Sequence, residues 1–247
     1  MKIALLGYGK MGKTIEKCLL ENQEHQVVLK INSGNRNSIT KDELRTADVA
    51  IEFSQPTAAI DNIRYCFEAG VPIVTGTTGW YDQIESVKQW CSEHNGALVY
   101  ASNFSIGVNL FFELNKRLSL LMKPRKEYEP FLTEIHHTQK KDAPSGTAIT
   151  LASDLLINST TKSRWVNIKD TPPHSKAANP DELIILSRRQ DDVVGNHSVE
   201  YRSAEDRIEI RHEAFSRDGF AKGALAAAGW IRNRKGCYTF SDIMESI

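Results

Sequence analysis

The chain has 247 residues, with 31 Lys plus Arg against 31 Asp plus Glu and 40% hydrophobic residues. A formally neutral chain of that apolar content is neither a basic nucleic-acid binder nor a disordered, highly charged polymer. It exceeds the roughly 100–200 residues of one typical domain, which predicts one large or two modest domains. Cys18, Cys66, Cys91 and Cys237 form no CxxC and no Cys/His ladder, which predicts free thiols and no bound metal.

Lys2 to Leu6 reads as a short buried strand, and Lys10 to Leu20 carries Met11, Ile15, Cys18 and Leu19 at helical spacing. Val27 to Ile31 predicts a second strand and Asn32 to Thr40 a polar loop. Val49 to Phe53 predicts a third strand, whose unbroken apolar run suits cover on both faces. Pro56 opens a helix that ends near Gly70, Pro72 to Thr75 is a strand, Tyr81 to His94 a helix and Ala97 to Ala101 a strand. Strands and helices alternating in this way predict a parallel sheet with right-handed crossovers.

After Asn109 the pattern changes. A helix over Leu110 to Met122 precedes a strand over Phe131 to His137, a helix from Ser145, and a Pro-rich loop around Pro172, Pro173 and Pro180. The runs Leu183 to Arg189, His197 to Arg202 and Arg207 to Ala214 follow. Alternation such as Val199, Tyr201 and Ile208, Ile210 predicts a sheet with one wet face and antiparallel pairing. The Ala- and Gly-rich stretch Gly219 to Ile231 reads as a close-packed helix. No segment reaches the roughly 18 uninterrupted apolar residues of a spanning helix, and the opening apolar run, broken at Gly7, is too short for a signal-peptide core. A soluble, cytoplasmic protein without membrane or nucleic-acid partners is expected.

Gly7-Tyr8-Gly9-Lys10-Met11-Gly12 is a GxGxxG set directly after the first strand and at the start of a helix. In that context a tight turn, a close backbone approach and a helix N-terminus together suit a pyrophosphate, the alternative being a purely structural glycine turn. No acidic residue ends the second strand: Ile31 is followed by Asn32, Ser33, Gly34, Asn35 and Arg36. Without a carboxylate to repel a 2′-phosphate, and with Lys10 and Arg36 as candidate neighbours, the site is expected to tolerate NADP, although Arg36 reads equally as a solvated loop residue. Gly76-Thr77-Thr78-Gly79 and Ala101-Ser102-Asn103-Phe104 follow later strands, at the carboxyl edge where open α/β sheets bind ligands. A plain turn with a Thr helix cap accounts for the first of these equally well.

The segment from Glu134 to Thr147, EIHHTQKKDAPSGT, sets two adjacent His and then Lys140 at a strand end, before a helix opened by Pro144, Ser145, Gly146 and Thr147. Adjacent strand residues face opposite ways, so His136 and His137 share a site only if the strand ends there. His titrates near neutral pH, Lys can hand over a proton, and the helix start offers N–H groups to a carboxylate. Spacing alone leaves a solvated polar strand end as an open alternative. Zinc is disfavoured, because HExxH and Cys partners are lacking and neighbouring His residues do not readily share one tetrahedral ion.

These strings resemble the 4-hydroxy-tetrahydrodipicolinate reductase (dihydrodipicolinate reductase) family almost end to end. The resemblance is carried by the N-terminal Gly loop, Gly76 to Gly79, Asn103-Phe104-Ser105 with Gly107-Val108-Asn109, HHxxKxDAPSGTA from His136, Val194-Gly195 with His197, and Phe220-Ala221 with Gly223-Ala224. It implies an NADPH- or NADH-dependent reductase of lysine and diaminopimelate synthesis, passing a hydride to C4 of a dehydrated cyclic dicarboxylate. It implies His136 as acid/base, Lys140 as proton donor, and His137, Gly146 and Thr147 as substrate-binding positions, to which the helix start adds Ser145. Gly76, Thr77 and Thr78 match one nicotinamide-side loop and Ala101, Ser102, Asn103 and Phe104 a second. The Gly loop GYGKMG is one residue shorter than the family's usual GxxGxxMG form.

The expectation is therefore an α/β protein of two domains. One is a Rossmann-type parallel-sheet domain for the dinucleotide, residues 1–104 plus 216–247, to which the last helix returns. The other, residues 105–215, is an α+β substrate-binding and oligomerisation domain with an open mixed sheet, in an assembly of four copies as the family resemblance implies. Two rivals differ in kind. A semialdehyde dehydrogenase needs a nucleophilic Cys, and only distant Cys237 lies in the second half. A dinucleotide sensor needs no His/Lys cluster.

Overall fold

The computed structural model describes residues 1–21, 25–169 and 179–247, so Pro172 and Pro173 of the expected Pro-rich loop lie outside the described residues. Two compact units are present: Met1–Ile106 with Arg217–Ile247, and Gly107–Ser216.

The first unit is a six-stranded, all-parallel sheet. Its strands are β1 (Lys2–Leu6), β2 (Gln26–Ile31), β3 (Val49–Glu52), β4 (Ile73–Thr75), β5 (Ala97–Tyr100) and, last in the chain, β11 (Gly236–Thr239), in the order β11-β5-β4-β3-β1-β2. Side chains of a strand alternate between faces. Ile3, Leu5, Val49 and Ile51 accordingly join one core with α1 (Lys10–Glu21) and α7 (Asp218–Ile231). Ala4, Leu6 and Ala50 join the other with α3 (Pro56–Ala69) and α4 (Ile84–Glu93). Burial on both faces explains the predominantly apolar strands. Helix α3 starts on Pro56 and stops at Gly70, whose φ of 73° suits a residue without Cβ. Helix α7 buries Ala221, Ala224, Ala227 and Ala228, small residues that let it lie close to the sheet.

Three short elements of this unit have weak sequence signals. Helix α2 (Lys41–Leu44) is announced only by its capping box, Thr40 with Glu43, and α8 (Phe240–Ile243) by Thr239 with Asp242. Strand β11 spans only four residues at the sheet edge.

The second unit is a five-stranded mixed sheet, order β10-β9-β6-β8-β7. Its strands are β6 (Glu129–His136), β7 (Arg164–Lys169), β8 (Glu182–Arg189), β9 (Gly195–Arg202) and β10 (Arg207–Ala214). Antiparallel pairing holds for β9 with β10 and with β6, as the alternation predicts. Strand β8 departs from that expectation and runs parallel to both β6 and β7. Its Leu183, Ile185 and Leu186 are all buried, the near-continuous apolar run of a covered parallel strand. Helices α5 (Ile106–Met122) and α6 (Gly146–Asn158) cover one face around Phe111, Leu132, Leu151, Leu183, Ile185 and Val199. The small cluster Phe131, Ile168, Leu186 and Ile184 consists of strand residues alone. All four Cys are free thiols, and among the described residues no helix is long and apolar enough to cross a membrane.

Candidate functional sites

A cleft of about 610 Å³ opens at the carboxyl ends of β1, β2, β3 and β4. Gly7, Tyr8, Gly9, Lys10 and Met11 line it, as do Gly76, Thr77 and Thr78, together with Asn32, Arg36, Phe53, Ser54 and Asn62. Its three loop glycines differ in what a Cβ would meet. At Gly7, with φ +94°, it would lie 2.0 Å from the Phe53 carbonyl oxygen, and at Gly12 2.5 Å from that of Gly7. At Gly9 nothing stands within 4 Å. A turn glycine, an open glycine and a helix-packing glycine, in that order, are what a pyrophosphate at the start of a helix requires, so these residues fit a dinucleotide.

The other expected cofactor loop lies apart from this cleft's lining. The Ala101 N–H bonds the Thr75 carbonyl at 3.2 Å, Ser102 is exposed, and the Asn103 side chain accepts from the Ser105 N–H at 2.8 Å. Phe104 is 1% exposed and packs edge-on against Phe53 and Phe240, so its ring is core. At the end of β2, the Asn32 side chain accepts the Gly34 N–H at 2.8 Å. Arg36 stacks on Tyr65 at 4.0 Å and donates through Nε to Asn62 at 3.0 Å, so it is an anchored residue of the cleft wall.

The second cluster lies in the other unit, at the end of β6. The strand stops at His136, which is why His137 need not point away from its neighbour's surroundings. Register supplies two residues the sequence reading did not assign. Parallel pairing sets Arg189 opposite His136, and antiparallel pairing sets His197 opposite Glu134. Glu134, fully buried, is the hub. It accepts the Ser145 N–H at 3.0 Å and lies 3.4 Å from the Arg189 guanidinium, 3.4 Å from His136 Nδ1 and 3.9 Å from His197 Nε2. The His136 contact falls short of a well-formed hydrogen bond.

The DAPSG loop is anchored to the same hub. Arg189 donates to the carbonyls of Lys140 at 3.2 Å and Asp142 at 2.6 Å. Lys140 Nζ is held by both Asp142 oxygens, at 2.9 and 2.8 Å. Ser145 is the N-cap of α6, its Oγ accepting from the Ala148 N–H, and that Oγ lies 3.1 Å from His197 Nε2. Gly146 faces open space, and Thr147 follows it in the first turn.

Burial dominates the electrostatics. It pushes the His136 ring down to about 4 and the His197 ring to about 3, against the opposing pull of Glu134, so both are neutral at pH 7. For Glu134 and Asp142 burial acts upward but is outweighed. The Ser145 and Ser187 side chains, the Ser145 N–H and His136 hold Glu134 below the usual carboxylate range, and Lys140 does so for Asp142. Glu134, His136 and His197 offer ligating atoms within 4.8 Å of one another. The Arg189 cation and the Ser145 donors already occupy the carboxylate, which suits a hydrogen-bonded cluster better than a cation site.

The chain matches two family models: "Dihydrodipicolinate reductase, N-terminus" over residues 1–104 and "Dihydrodipicolinate reductase, C-terminus" over residues 107–244. It is 43% identical over 247 residues to the 4-hydroxy-tetrahydrodipicolinate reductase of Christiangramia forsetii, covering 100% of this chain and 99% of that one. To the enzyme of the same name from Aquifex aeolicus it is 35% identical, covering 96% and 95%. Among solved structures, a dipicolinate-bound dihydrodipicolinate reductase from Paenisporosarcina sp. TG-14 superposes with a TM-score of 0.74 at 21% identity, over 98% of this chain and 99% of that one, a likeness of fold.

Proposed function

The chain belongs to the dihydrodipicolinate reductase family, and from that membership we propose how its residues divide the work of the reaction. It is an oxidoreductase that uses NADH or NADPH to reduce 4-hydroxy-tetrahydrodipicolinate in lysine and diaminopimelate synthesis. In this reading residues 1–104 with 216–247 bind the dinucleotide and residues 105–215 bind the cyclic dicarboxylate. The observation that carries it is the buried Glu134 hub, which gathers His136, His197, Arg189 and the start of α6 around one carboxylate.

Bound reduced nicotinamide supplies the hydride, to C4 of the dehydrated ring. The protein must then deliver a proton to an electron-rich ring. Lys140 Nζ is the donor, and Asp142 holds it until the substrate takes up its hydrogen bonds. His136, neutral through burial, orients the ring and takes part as acid/base at the same locus. His137, Gly146 and Thr147 engage a substrate carboxylate at the N-terminus of α6, where backbone N–H groups and the helix dipole favour an anion. Ser145 joins them as the cap that fixes this turn. Gly7 to Gly12 hold the pyrophosphate, with Gly76 to Thr78 and Ala101 to Phe104 toward the nicotinamide. A cytoplasmic homotetramer completes the reading, in which the edge strands β10 and β7 of the open five-stranded sheet would be covered by another copy.

The test is the loss of reduced-nicotinamide absorbance on substrate made in place from pyruvate and aspartate semialdehyde, with NADH and NADPH in parallel. Oxidation is expected with at least one. A folded protein that binds a dinucleotide but oxidises neither would be the sensor instead. Gly9→Ala separates the cofactor loop from the fold: its methyl meets no protein atom within 4 Å, so the melting temperature should hold. Its intrusion on the pyrophosphate is expected to weaken cofactor binding by about tenfold, or roughly 1.4 kcal/mol. Unchanged binding would remove Gly9 from the phosphate site.

A further inference from the structure

Glu52 ends β3 fully buried beneath the cleft, and among the described residues no Lys, Arg or His forms an ion pair with it. A buried carboxylate without a cation is costly unless its oxygens are fully hydrogen-bonded. Here four donors converge on it. The Ser54 N–H reaches Oε1 at 3.0 Å and Thr77 Oγ1 reaches Oε1 at 3.0 Å, while the hydroxyls of Ser54 and Thr75 donate to Oε1 and Oε2. A carboxylate only accepts, and here three of the donors gather on Oε1 and one on Oε2. The donors sit on the segments that shape the cleft: Ser54 and Thr77 line it, and Thr75 precedes Gly76. The chain of bonds runs on. The Ser54 N–H also reaches Thr77 Oγ1 at 2.8 Å, Asn62 Nδ2 donates to Ser54 Oγ at 3.3 Å, and Arg36 Nε donates to Asn62 Oδ1 at 3.0 Å. One polar network therefore connects the wall after β2 with the loop after β4.

We propose that Glu52 is a positioning residue for the dinucleotide: it braces the Ser54 and Thr77 walls, and through Asn62 the Arg36 wall, in the shape that receives the cofactor. The proposal rests on residues 1–104 binding NAD(P)H. A hydrophobic residue of similar size would take this acceptor from the hydroxyls of Ser54, Thr75 and Thr77, and an amide would accept with one oxygen only.

Glu52→Gln keeps the volume and removes half the acceptor capacity. Its dissociation constants for NADPH and NADH, read by nucleotide fluorescence, are expected to rise about tenfold, the cofactor KM in step. At saturating cofactor kcat should stay within about twofold, and the KM of the dicarboxylate should be unchanged. Glu52→Asp, which retains the acceptor pair, is expected to recover part of the loss. A folded Glu52→Gln protein with wild-type dissociation constants overturns the proposal. Should that variant not fold, Thr75→Val, at a buried residue outside the cleft lining, removes one arm of the network, and unchanged cofactor affinity there overturns it equally. A wild-type protein that binds neither nucleotide would instead defeat the cofactor reading of the cleft itself.

Discussion

Lys140→Met is expected to lower kcat by about 10²–10⁴-fold, the usual span of a general acid's contribution, while NADPH affinity changes by less than about twofold. The side chain of Lys140 is only partly exposed, and its ammonium is gripped by both oxygens of Asp142. Met keeps the length and apolar stem but donates no proton. The backbone around it is held independently, by Arg189 on the Lys140 and Asp142 carbonyls, so the loop should keep its course. The cofactor cleft contains none of these residues. Steady-state kinetics and nucleotide titration on the same preparation check both halves. Turnover equal to wild type would remove Lys140 from the proton-delivery role, and a parallel loss of NADPH binding would show that the variant acts through the fold.

The second large effect is on stability. Between pH 7.5 and 4.5 the unit formed by residues 107–216 is expected to lose on the order of 3 kcal/mol for each of its two buried rings, His136 and His197. An unfolded His binds its proton near pH 6.5, whereas folded His136 does so only near 4 and His197 near 3. Across that window the unfolded chain holds more protons, so stability is complete above about 6.5 and falls as pH falls. The rings stand 5.0 Å apart, each disfavouring charge on the other, and Lys140 and Arg189 push the same way while Glu134 opposes them. Charging either ring therefore makes the next proton harder to add, and the two losses do not simply sum. Urea midpoints at several pH values measure this, and His197→Gln should flatten the profile. A midpoint independent of pH would mean that neither ring is buried neutral.

The two sites were unevenly legible in the sequence. A motif whose parts are consecutive can be read directly, and so the Gly loop of β1 and α1, and the His pair with Lys140 before the cap of α6, were in view from the start. The hub was not. Glu134 bears no mark in the sequence that separates it from any other strand Glu, and Arg189 and His197 reach it only because β8 and β9 pair on opposite sides of β6. Register is a long-range property, and the local alternation in β9 and β10 carries no sign of the parallel course of β8. Phe104 shows the converse. Its place in a recognisable string marks a cofactor loop, but nothing in that string announces that the ring itself is core, packed against Phe240. Glu52 was not legible: its strand reads as an apolar run, and the purpose of its one charge depends on Thr75 and Thr77 arriving from the next strand and the loop after it.

The return of the last thirty residues to the first unit sets an order on synthesis. Helix α7 fills one face of a sheet whose other strands are finished before residue 101, and β11 closes its edge only when Thr239 has been made. Residues 107–216 are complete in sequence well before then. On the ribosome the inserted unit can thus reach its native packing first, while the earlier-made sheet waits with Ile3, Leu5, Val49, Ile51 and Val74 lacking their partners from α7. The exposed interval lasts as long as translation of the insert and tail takes, so apolar sheet surface of the amino-terminal unit stays open for longer than that of the inserted one.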